Sequence, residues 1–274
     1  MAINRNKLIK RIAVVIFLVP IFIFFVDVGG LPFVFFWSAV LVVASWEYWR
    51  LFKTGNYSPS LGILVLAILS ISIGRYLLDT VYLDLILSSI ILICMIQFII
   101  AYENGSKTSA VDFAITIGGV FYIGWIGAYL ISLRMIENGK WWLLLVIPAV
   151  WFTDVGGYFI GSWLGKRRLT KKVSPNKTVE GYIGGIIFSL ILTYLLCLLW
   201  NMGNAYINPN NALVLGMVIG VFTPLGDLGE SMLKRQFNIK DTSNLLPGHG
   251  GILDRIDTWL WAGVLGYFLI LLFF

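Results

Sequence analysis

Long runs of apolar residues fill most of the chain, and short polar connections separate them. A helix needs about 20 apolar residues to cross the hydrocarbon core of a bilayer, which is roughly 30 Å thick. Helices are expected because lipid offers no partner for an unpaired backbone N–H or C=O group. The pattern predicts an all-α integral membrane protein with about nine transmembrane helices. The predicted segments are 12–28, 31–50, 61–78, 81–102, 109–134, 141–163, 180–200, 211–233 and 256–274.

Composition supports a membrane location for these segments. Of the 274 residues, 59% are hydrophobic and 12% are charged, whereas soluble domains carry about 25% charged residues. The first segment follows a basic N-terminus, as a signal peptide would, but no small-residue cleavage site precedes "VDVGGLPF". We therefore interpret it as a retained anchor.

The distribution of positive charge predicts an orientation. If the N-terminus is cytoplasmic, all but three of the 20 Lys and Arg residues lie on the cytoplasmic side, the exceptions being Arg75, Arg134 and Lys140. Such a bias is typical of cytoplasmic loops. The two longest polar connections, 164–179 and 234–255, are then cytoplasmic and the C-terminus is outside. We expect residues 1–140 to form a lipid-facing scaffold and residues 141–274 to form the catalytic region.

Acidic residues lie where the pattern places the membrane. Carboxylates at bilayer depth cost a few kcal/mol even on lenient scales, so they commonly mark a functional site. In "TPLGDLGESMLKR", the spacing puts two carboxylates, a hydroxyl and an ammonium group on one helical face. That face comprises Asp227, Glu230, Ser231 and Lys234, and the other acids of this kind are Asp154, Glu180, Asp254 and Asp257.

The polar segment "KDTSNLLPGHGGILDRID", residues 240–257, suggests phosphate binding. Its glycines leave backbone amides open to an anion, and Arg255 can bind a phosphate through two N–H groups. Oxygen ligands from the nearby carboxylates favour Mg²⁺ over zinc. His249 is the only histidine, and a structural turn residue and a phosphate donor are equally good interpretations of it.

The connection between the sixth and seventh segments is strongly basic. Its charges suit anionic lipid headgroups at a membrane surface. The stretch Ser174-Pro175-Asn176-Lys177-Thr178 adds hydroxyl groups and a turn beside a lysine, just before Glu180. This stretch is better suited to holding phosphates than to membrane contact alone.

Two sequence patterns together resemble the phosphatidate cytidylyltransferases, also called CDP-diacylglycerol synthases. The upstream pattern runs from Asp154 to Tyr158, with Gly157 where the family is expected to carry Ala, and then through Ser174-Pro175-x-Lys177-Thr178-x-Glu180-Gly181. The downstream pattern is Ser231-x-Leu233-Lys234-Arg235, four residues, Lys240-Asp241-x-Ser243, and then Leu246-Pro247-x-His249-Gly250-Gly251-Ile252-x-Asp254-Arg255-Ile256-Asp257.

The resemblance implies an Mg²⁺-dependent reaction of CTP with phosphatidate that yields CDP-diacylglycerol and diphosphate, in phospholipid biosynthesis at the cell membrane. Our hypothesis is that Asp227, Glu230 and Asp254 ligate the metal, with Asp257 as an alternative to Glu230 in support and a second cation as an option, and a homodimer is a candidate assembly. The implied catalytic residues are Asp227, Asp254, Lys234, Arg235, Lys240, Asp241, His249, Arg255 and Asp257. The implied substrate-binding residues are Ser174, Lys177, Thr178, Glu180, Ser231, Gly250 and Gly251.

Several other classes of protein are alternatives to this interpretation. A CDP-alcohol phosphotransferase would carry DGxxAR, and a P-loop or Rossmann enzyme would carry GxxxxGK[ST] or GxGxxG; the chain has none of these strings. A polyprenol-type CTP-dependent kinase is closer in chemistry, and it would release CDP instead of diphosphate. A transporter would place charges at mid-bilayer and show internal repeats, whereas these acids crowd towards one membrane face.

Overall fold

The computed structural model describes residues 5–78, 80–203 and 205–274, with side chains from Val14 onward. In this part of the chain helices dominate and no β-sheet forms, although two isolated β-bridges close loops. The predicted all-α class is therefore confirmed. The α-helices are α1 Arg5–Val28, α2 Gly30–Thr54, α3 Leu61–Leu77, α4 Thr80–Glu103, α5 Ser109–Gly119, α6 Tyr129–Met135, α7 Gly139–Leu164, α8 Val179–Met202, α9 Pro209–Gln236 and α10 Leu253–Phe273.

The helices match the nine predicted segments one to one over the described residues. The fifth segment, Ser109–Met135, is composite: α5 continues through a π-helical stretch, Val120–Trp125, towards α6. Among the described residues, seven segments are long and apolar enough to span a membrane, and the apolar parts of α1 and α3 are shorter. The multi-pass arrangement is confirmed. The orientation of the termini stays a prediction, and the side chains of Arg5, Lys7, Lys10 and Arg11 lie outside the described residues.

The chain folds as two compact units, each built from discontinuous segments. The first unit comprises the described residues of Met1–Ser132 and Gln236–Ile256, and the second comprises those of Leu133–Arg235 and Asp257–Phe274. The α9–α10 connection thus belongs to the first unit. The predicted functional division at residue 140 is a separate matter from these packing units, and it stays a prediction.

Small residues allow the helices of the second unit to pack closely. A Cβ atom added to Gly181 of α8 would lie 2.7 Å from the carbonyl oxygen of Gly157 on α7. A Cβ atom added to Gly216 of α9 would similarly lie 2.7 Å from the carbonyl oxygen of Ser189 on α8. Tyr182 adds a hydrogen bond from its hydroxyl group to the carbonyl oxygen of Val221, 2.6 Å away. Membrane helices commonly associate through such small-residue contacts, and these three helices carry most of the site described next.

Candidate active site

Three carboxylates from α9 and α10 converge in the second unit. Asp227 and Glu230 lie one turn apart on α9, and Asp257 lies in the first turns of α10. One oxygen from each carboxylate lies within 4.8 Å of the other two. Glu230 and Asp257 are buried, with 1% and 5% of their surfaces exposed, and Asp227 is half-buried. Like charges this close repel in a low-dielectric environment, so the cluster requires cations nearby.

A glycine on α9 allows the carboxylates to meet. A Cβ atom on Gly226 would lie 2.9 Å from the backbone carbonyl oxygen of Asp257 and 2.6 Å from the ring of Trp261. No side chain fits at that distance, so only glycine permits this approach of α9 to α10. The carboxylate of Asp227, the next residue, is thereby brought to the first turns of α10.

Two lysines pair with the acidic cluster. Lys177, from the loop between α7 and α8, forms an ion pair with Asp227, and Lys234 forms one with Glu230 four residues earlier on α9. Burial lowers the pKa of Lys177 below its ordinary value of 10.5; Asp154 and Asp257 oppose that shift, and Lys234 adds to it. Lys177 therefore lies in the electrostatic field of three charged groups besides its partner Asp227. An anionic substrate entering here would meet ammonium groups already held in place.

The α7–α8 loop is folded back on itself by backbone hydrogen bonds. The backbone N–H of Leu169 donates to the carbonyl of Lys177 at 2.8 Å. Glu180 accepts from the backbone N–H groups of Lys166 and Arg167 at 3.0 and 3.1 Å. The Thr178 hydroxyl accepts from the N–H of Gly181 at 3.1 Å and so caps α8. Thr178 and Glu180, predicted to bind substrate, thus have structural hydrogen bonds that fix the position of Lys177.

A cavity of about 500 Å³ lies beside this loop in the second unit. Thr153, Asp154 and Tyr158 of α7 line it together with Lys177 of the loop and Pro224 of α9. Glycines of α7 and α8 form much of the remaining wall, which leaves backbone close to the cavity. The cavity lining is mostly apolar, and Asp154 and Lys177 contribute an acid and a base to it.

The α9–α10 connection in the first unit is organised by Asp254. Its Oδ2 atom accepts from the backbone N–H and the hydroxyl group of Thr242 at 2.9 and 3.0 Å, and from the N–H of Gly251 at 2.7 Å. Gly250 adopts a φ of 85° in this turn, a conformation that favours glycine. Asp254 is thus engaged with the backbone of its own loop, and its predicted place beside Asp227 stays a prediction.

A second carboxylate, Glu47 of α2, binds the same connection within the first unit. It is fully buried and accepts hydrogen bonds from the hydroxyl groups of Thr242 and Ser243 at 3.2 and 2.6 Å. It also accepts from the backbone N–H groups of Ile252 and Leu253 at 3.0 and 2.7 Å. Glu47 is absent from the predicted site residues although it interrupts the apolar run 31–50, and such an interruption is the signal that marks the other acids.

The remaining predicted residues are distributed over the two units. In the second unit, Ser231 is buried beside Glu230 on α9, Arg235 donates from Nε to the carbonyl of Val173 at 3.4 Å, and the backbone of Ser174 closes a turn with Lys177. In the first unit, Lys240, Asp241 and Arg255 are exposed, and the backbone N–H of His249 donates to the carbonyl of Leu246 at 2.9 Å. Asp154, an intramembrane acid outside the predicted catalytic set, opposes through its charge the lowering of the Lys177 pKa.

Fold and site together define a multi-pass helical membrane protein with a lysine-flanked acidic cluster suited to polyphosphate chemistry. A family model described as the cytidylyltransferase family matches residues 9–273. The chain therefore belongs to the cytidylyltransferase family.

Several bacterial relatives are named phosphatidate cytidylyltransferase. The protein of Bacillus subtilis (strain 168) is 36% identical over 277 residues, which cover 96% of this chain and 98% of the relative. The protein of Staphylococcus saprophyticus is 36% identical over 183 residues, or 65% of this chain and 67% of the relative. The protein of Synechocystis sp. (strain PCC 6803) is 35% identical over 205 residues, or 65% of this chain and 68% of the relative.

Proposed function

We propose that the protein is a phosphatidate cytidylyltransferase of the cell membrane, which converts CTP and phosphatidate into CDP-diacylglycerol and diphosphate. The observation that carries the proposal is the acidic cluster of Asp227, Glu230 and Asp257 with its paired lysines, in a chain that matches a bacterial relative of this name over nearly its whole length.

The reaction requires two anions to meet. A phosphate-monoester oxygen of phosphatidate attacks the α-phosphorus of CTP, and the bond from that phosphorus to the bridging oxygen of the β-phosphate breaks. Diphosphate leaves with the bonding electron pair, and no covalent enzyme intermediate is required. A phosphate monoester carries about −1.5 to −2 charge at neutral pH. The chain must therefore supply or hold positive charge where the two substrates meet.

The donor set of the acidic cluster fits a hard divalent cation. Three carboxylate oxygens within 4.8 Å of one another match the oxygen ligands that Mg²⁺ prefers, with water and substrate phosphates completing its shell. We propose that Asp227, Glu230 and Asp257 hold Mg²⁺. When bound there, it would neutralise phosphate charge and orient the phosphates. Metal ligation by Asp254 stays a prediction, and so does the binding of a second cation.

The lysines have a complementary role. Lys177 and Lys234 hold their ammonium groups against the cluster, where a triphosphate can exchange for a carboxylate as the partner. Charge-assisted hydrogen bonds of this kind are roughly twice as strong as neutral ones. We propose that Lys177 and Lys234 of the second unit bind CTP phosphates, with Arg235 as a further cationic contact and Ser174 and Ser231 in support. The residues of the first unit that the sequence predicts as substrate contacts stay candidates for that role: Lys240, Asp241, His249, Gly250, Gly251 and Arg255.

The lipid substrate is accommodated by the apolar cavity of the second unit. Lys177 lines this cavity, as does Tyr158 of α7, which is 72% exposed. We propose that the glycerol portion of phosphatidate enters along this glycine-lined wall, with its phosphate towards Lys177. The acyl chains would remain against the apolar outer faces of the helices.

A direct assay tests the proposed reaction. Purified protein in detergent micelles is supplied with phosphatidate, Mg²⁺ and CTP, dCTP or ATP in turn. We expect equal amounts of diphosphate and CDP-diacylglycerol, dependent on phosphatidate. The Asp227→Asn variant should lose turnover, whereas Asp112→Asn, which alters a buried carboxylate of the first unit, should keep it. Release of CDP, with phosphorylation of the lipid hydroxyl group, when a polyprenol replaces phosphatidate would instead establish the kinase reaction.

Orientation and assembly complete the proposal. We propose that the active site faces the cytoplasm, with a cytoplasmic N-terminus and an external C-terminus, and that the protein forms a homodimer. Single cysteines introduced at Lys171 and at Lys140 should label from opposite sides of sealed vesicles. Mass measurement in detergent reports the oligomeric state, and a monomeric mass with full activity would contradict the dimer.

A further inference from the structure

The strongest unassigned feature is the buried carboxylate of Glu47, 195 to 206 residues away in sequence from its partners. It lies in an apolar helix of 25 residues and accepts four hydrogen bonds from the α9–α10 connection. A buried charge is costly unless it is paired or hydrogen-bonded. Here it is compensated entirely within the first unit, by a segment in which several phosphate-binding residues are predicted.

The four donors come from two parts of the chain. Thr242 and Ser243 lie six and seven residues beyond the end of α9, Ile252 ends the connection, and Leu253 begins α10. Glu47 therefore holds the middle of this connection against its last residue and the start of α10. Because α10 begins at Leu253, the N–H groups of Ile252 and Leu253 are among those that a helix leaves without an intrahelical partner at its N-terminus. Glu47 thus caps α10 from a different helix.

The turn at Gly251 packs directly against the carboxylate of Glu47. A Cβ atom on Gly251 would lie 2.5 and 2.6 Å from the two carboxylate oxygens of Glu47. The Thr242 hydroxyl contacts both Glu47 and Asp254, so the two carboxylates share one donor residue. Together, Glu47 and Asp254 fix the position of the turn that contains His249. They also fix the first turn of α10, which carries Arg255.

We infer that Glu47 is a positioning residue for nucleotide binding, which acts by fixing the α9–α10 connection and the start of α10. This inference rests on the proposed function. The cationic residues that Glu47 positions are Lys240 and Arg255, and Asp257 follows Leu253 by one turn on the same helix. Loss of the carboxylate should therefore weaken the binding of the triphosphate more than that of the lipid.

Glu47→Gln is the informative substitution because it preserves size. Oε1 accepts from the Ser243 hydroxyl and the Ile252 N–H, and Oε2 accepts from the Thr242 hydroxyl and the Leu253 N–H. Whichever oxygen becomes an NH₂ group, the hydroxyl can reverse its hydrogen bond, but the backbone N–H cannot. One N–H at the start of α10 therefore loses its acceptor in either orientation of the amide.

The experiment measures steady-state kinetics of Glu47→Gln in detergent micelles. We expect the KM for CTP to rise about tenfold, in the range found when residues that orient a site are replaced, with the KM for phosphatidate within about twofold. Hydrogen exchange should be faster at the amides of Ile252 and Leu253. The matched control is Asp112→Asn: Asp112 is equally buried in the same unit, but its partners are the N–H of Ser58 and the hydroxyl of Thr108. The control should leave both KM values unchanged.

The outcomes separate this inference from the proposed function. Unchanged KM for CTP in Glu47→Gln, with an active wild type, overturns the inference alone. Equal changes in both KM values, or the same changes in Asp112→Asn, assign Glu47 a purely structural role and also overturn it. A wild type without cytidylyl transfer overturns the proposed function. If Glu47→Gln does not fold, Ser243→Ala removes one donor to Oε1 and should raise the KM for CTP in the same selective way; an unchanged value there contradicts the inference.

Discussion

Lys177, in the loop before α8, forms an ion pair with Asp227 of α9, 50 residues further along the chain. The contact fixes a basic loop against the acidic cluster. It also keeps a cation beside Asp227, Glu230 and Asp257. A site that must bind a triphosphate and a lipid phosphate is thereby partly neutralised before either substrate arrives.

Replacing Lys177 should lower catalysis more than stability. In Lys177→Ala the cluster loses one of its two paired lysines and the substrate phosphates lose a contact. We expect kcat/KM to fall about 100-fold, the scale found when one donor to a developing phosphate or oxyanion charge is removed. The measurement is diphosphate release at saturating phosphatidate. Lys107→Ala, an exposed lysine in the α4–α5 connection, should retain wild-type activity; a similar loss there would attribute the effect to net charge.

The lowered pKa of Lys177 predicts that the alkaline limb of the pH–activity profile lies at lower pH than an ordinary lysine would give. Burial makes the ammonium group lose its proton below 10.5, the ordinary value for lysine. Activity that requires the charged form should therefore decline at a pH below that value. In Lys177→Arg the guanidinium group stays charged, so the limb should move to higher pH. An unmoved limb would assign the titration to another group.

The same shift has a defined effect on stability. Between the lowered pKa and 10.5, the unfolded chain binds this proton more tightly than the folded chain does. The contribution of Lys177 to the free energy of unfolding therefore rises with pH through that window. Thermal unfolding of the wild type compared with Lys177→Arg should show this difference in slope, and parallel curves would contradict it.

Magnesium titration tests the assignment of the acidic cluster. Asp227→Asn, Glu230→Gln and Asp257→Asn should each raise the Mg²⁺ concentration needed for half-maximal activity, because each removes one ligand charge. We expect a loss of at least about 100-fold in activity at limiting Mg²⁺. Asp254→Asn should lower activity without shifting the Mg²⁺ requirement if its role is to hold Thr242 and Gly251. A shift in Asp254→Asn equal to that in Asp257→Asn would make Asp254 a ligand, as the sequence predicts.

Local spacing revealed part of the site. The helical period alone places Asp227, Glu230 and Lys234 on one face, and the structure pairs Glu230 with Lys234. The nine apolar segments were predicted because a membrane imposes helix length. The role of Glu47 could not be predicted, since its partners lie about 200 residues away in sequence and only tertiary packing brings them together. The position of Thr178 and Glu180 as loop supports likewise depends on backbone hydrogen bonds that a sequence pattern does not encode.

The α7–α8 contact provides a matched pair of glycine substitutions. At Gly181, an added Cβ atom would lie 2.7 Å from the carbonyl oxygen of Gly157 and 3.0 Å from Cα of Gly161. These are backbone atoms that cannot rotate away, so the helices must separate. At Gly157, an added Cβ atom would lie 3.5 Å from the carbonyl oxygen of Gly181, an ordinary contact, and the resemblance described above expects Ala there.

We expect Gly181→Ala to destabilise the protein by about 1–3 kcal/mol, as overpacking does, and to lower activity by displacing the loop that carries Lys177. Gly157→Ala should be neutral or stabilising by up to about 1 kcal/mol, because alanine favours the helix over glycine. Thermal unfolding in detergent and diphosphate release measure the two effects on the same samples. Equal loss of stability in both variants would contradict the expected difference between Gly181 and Gly157.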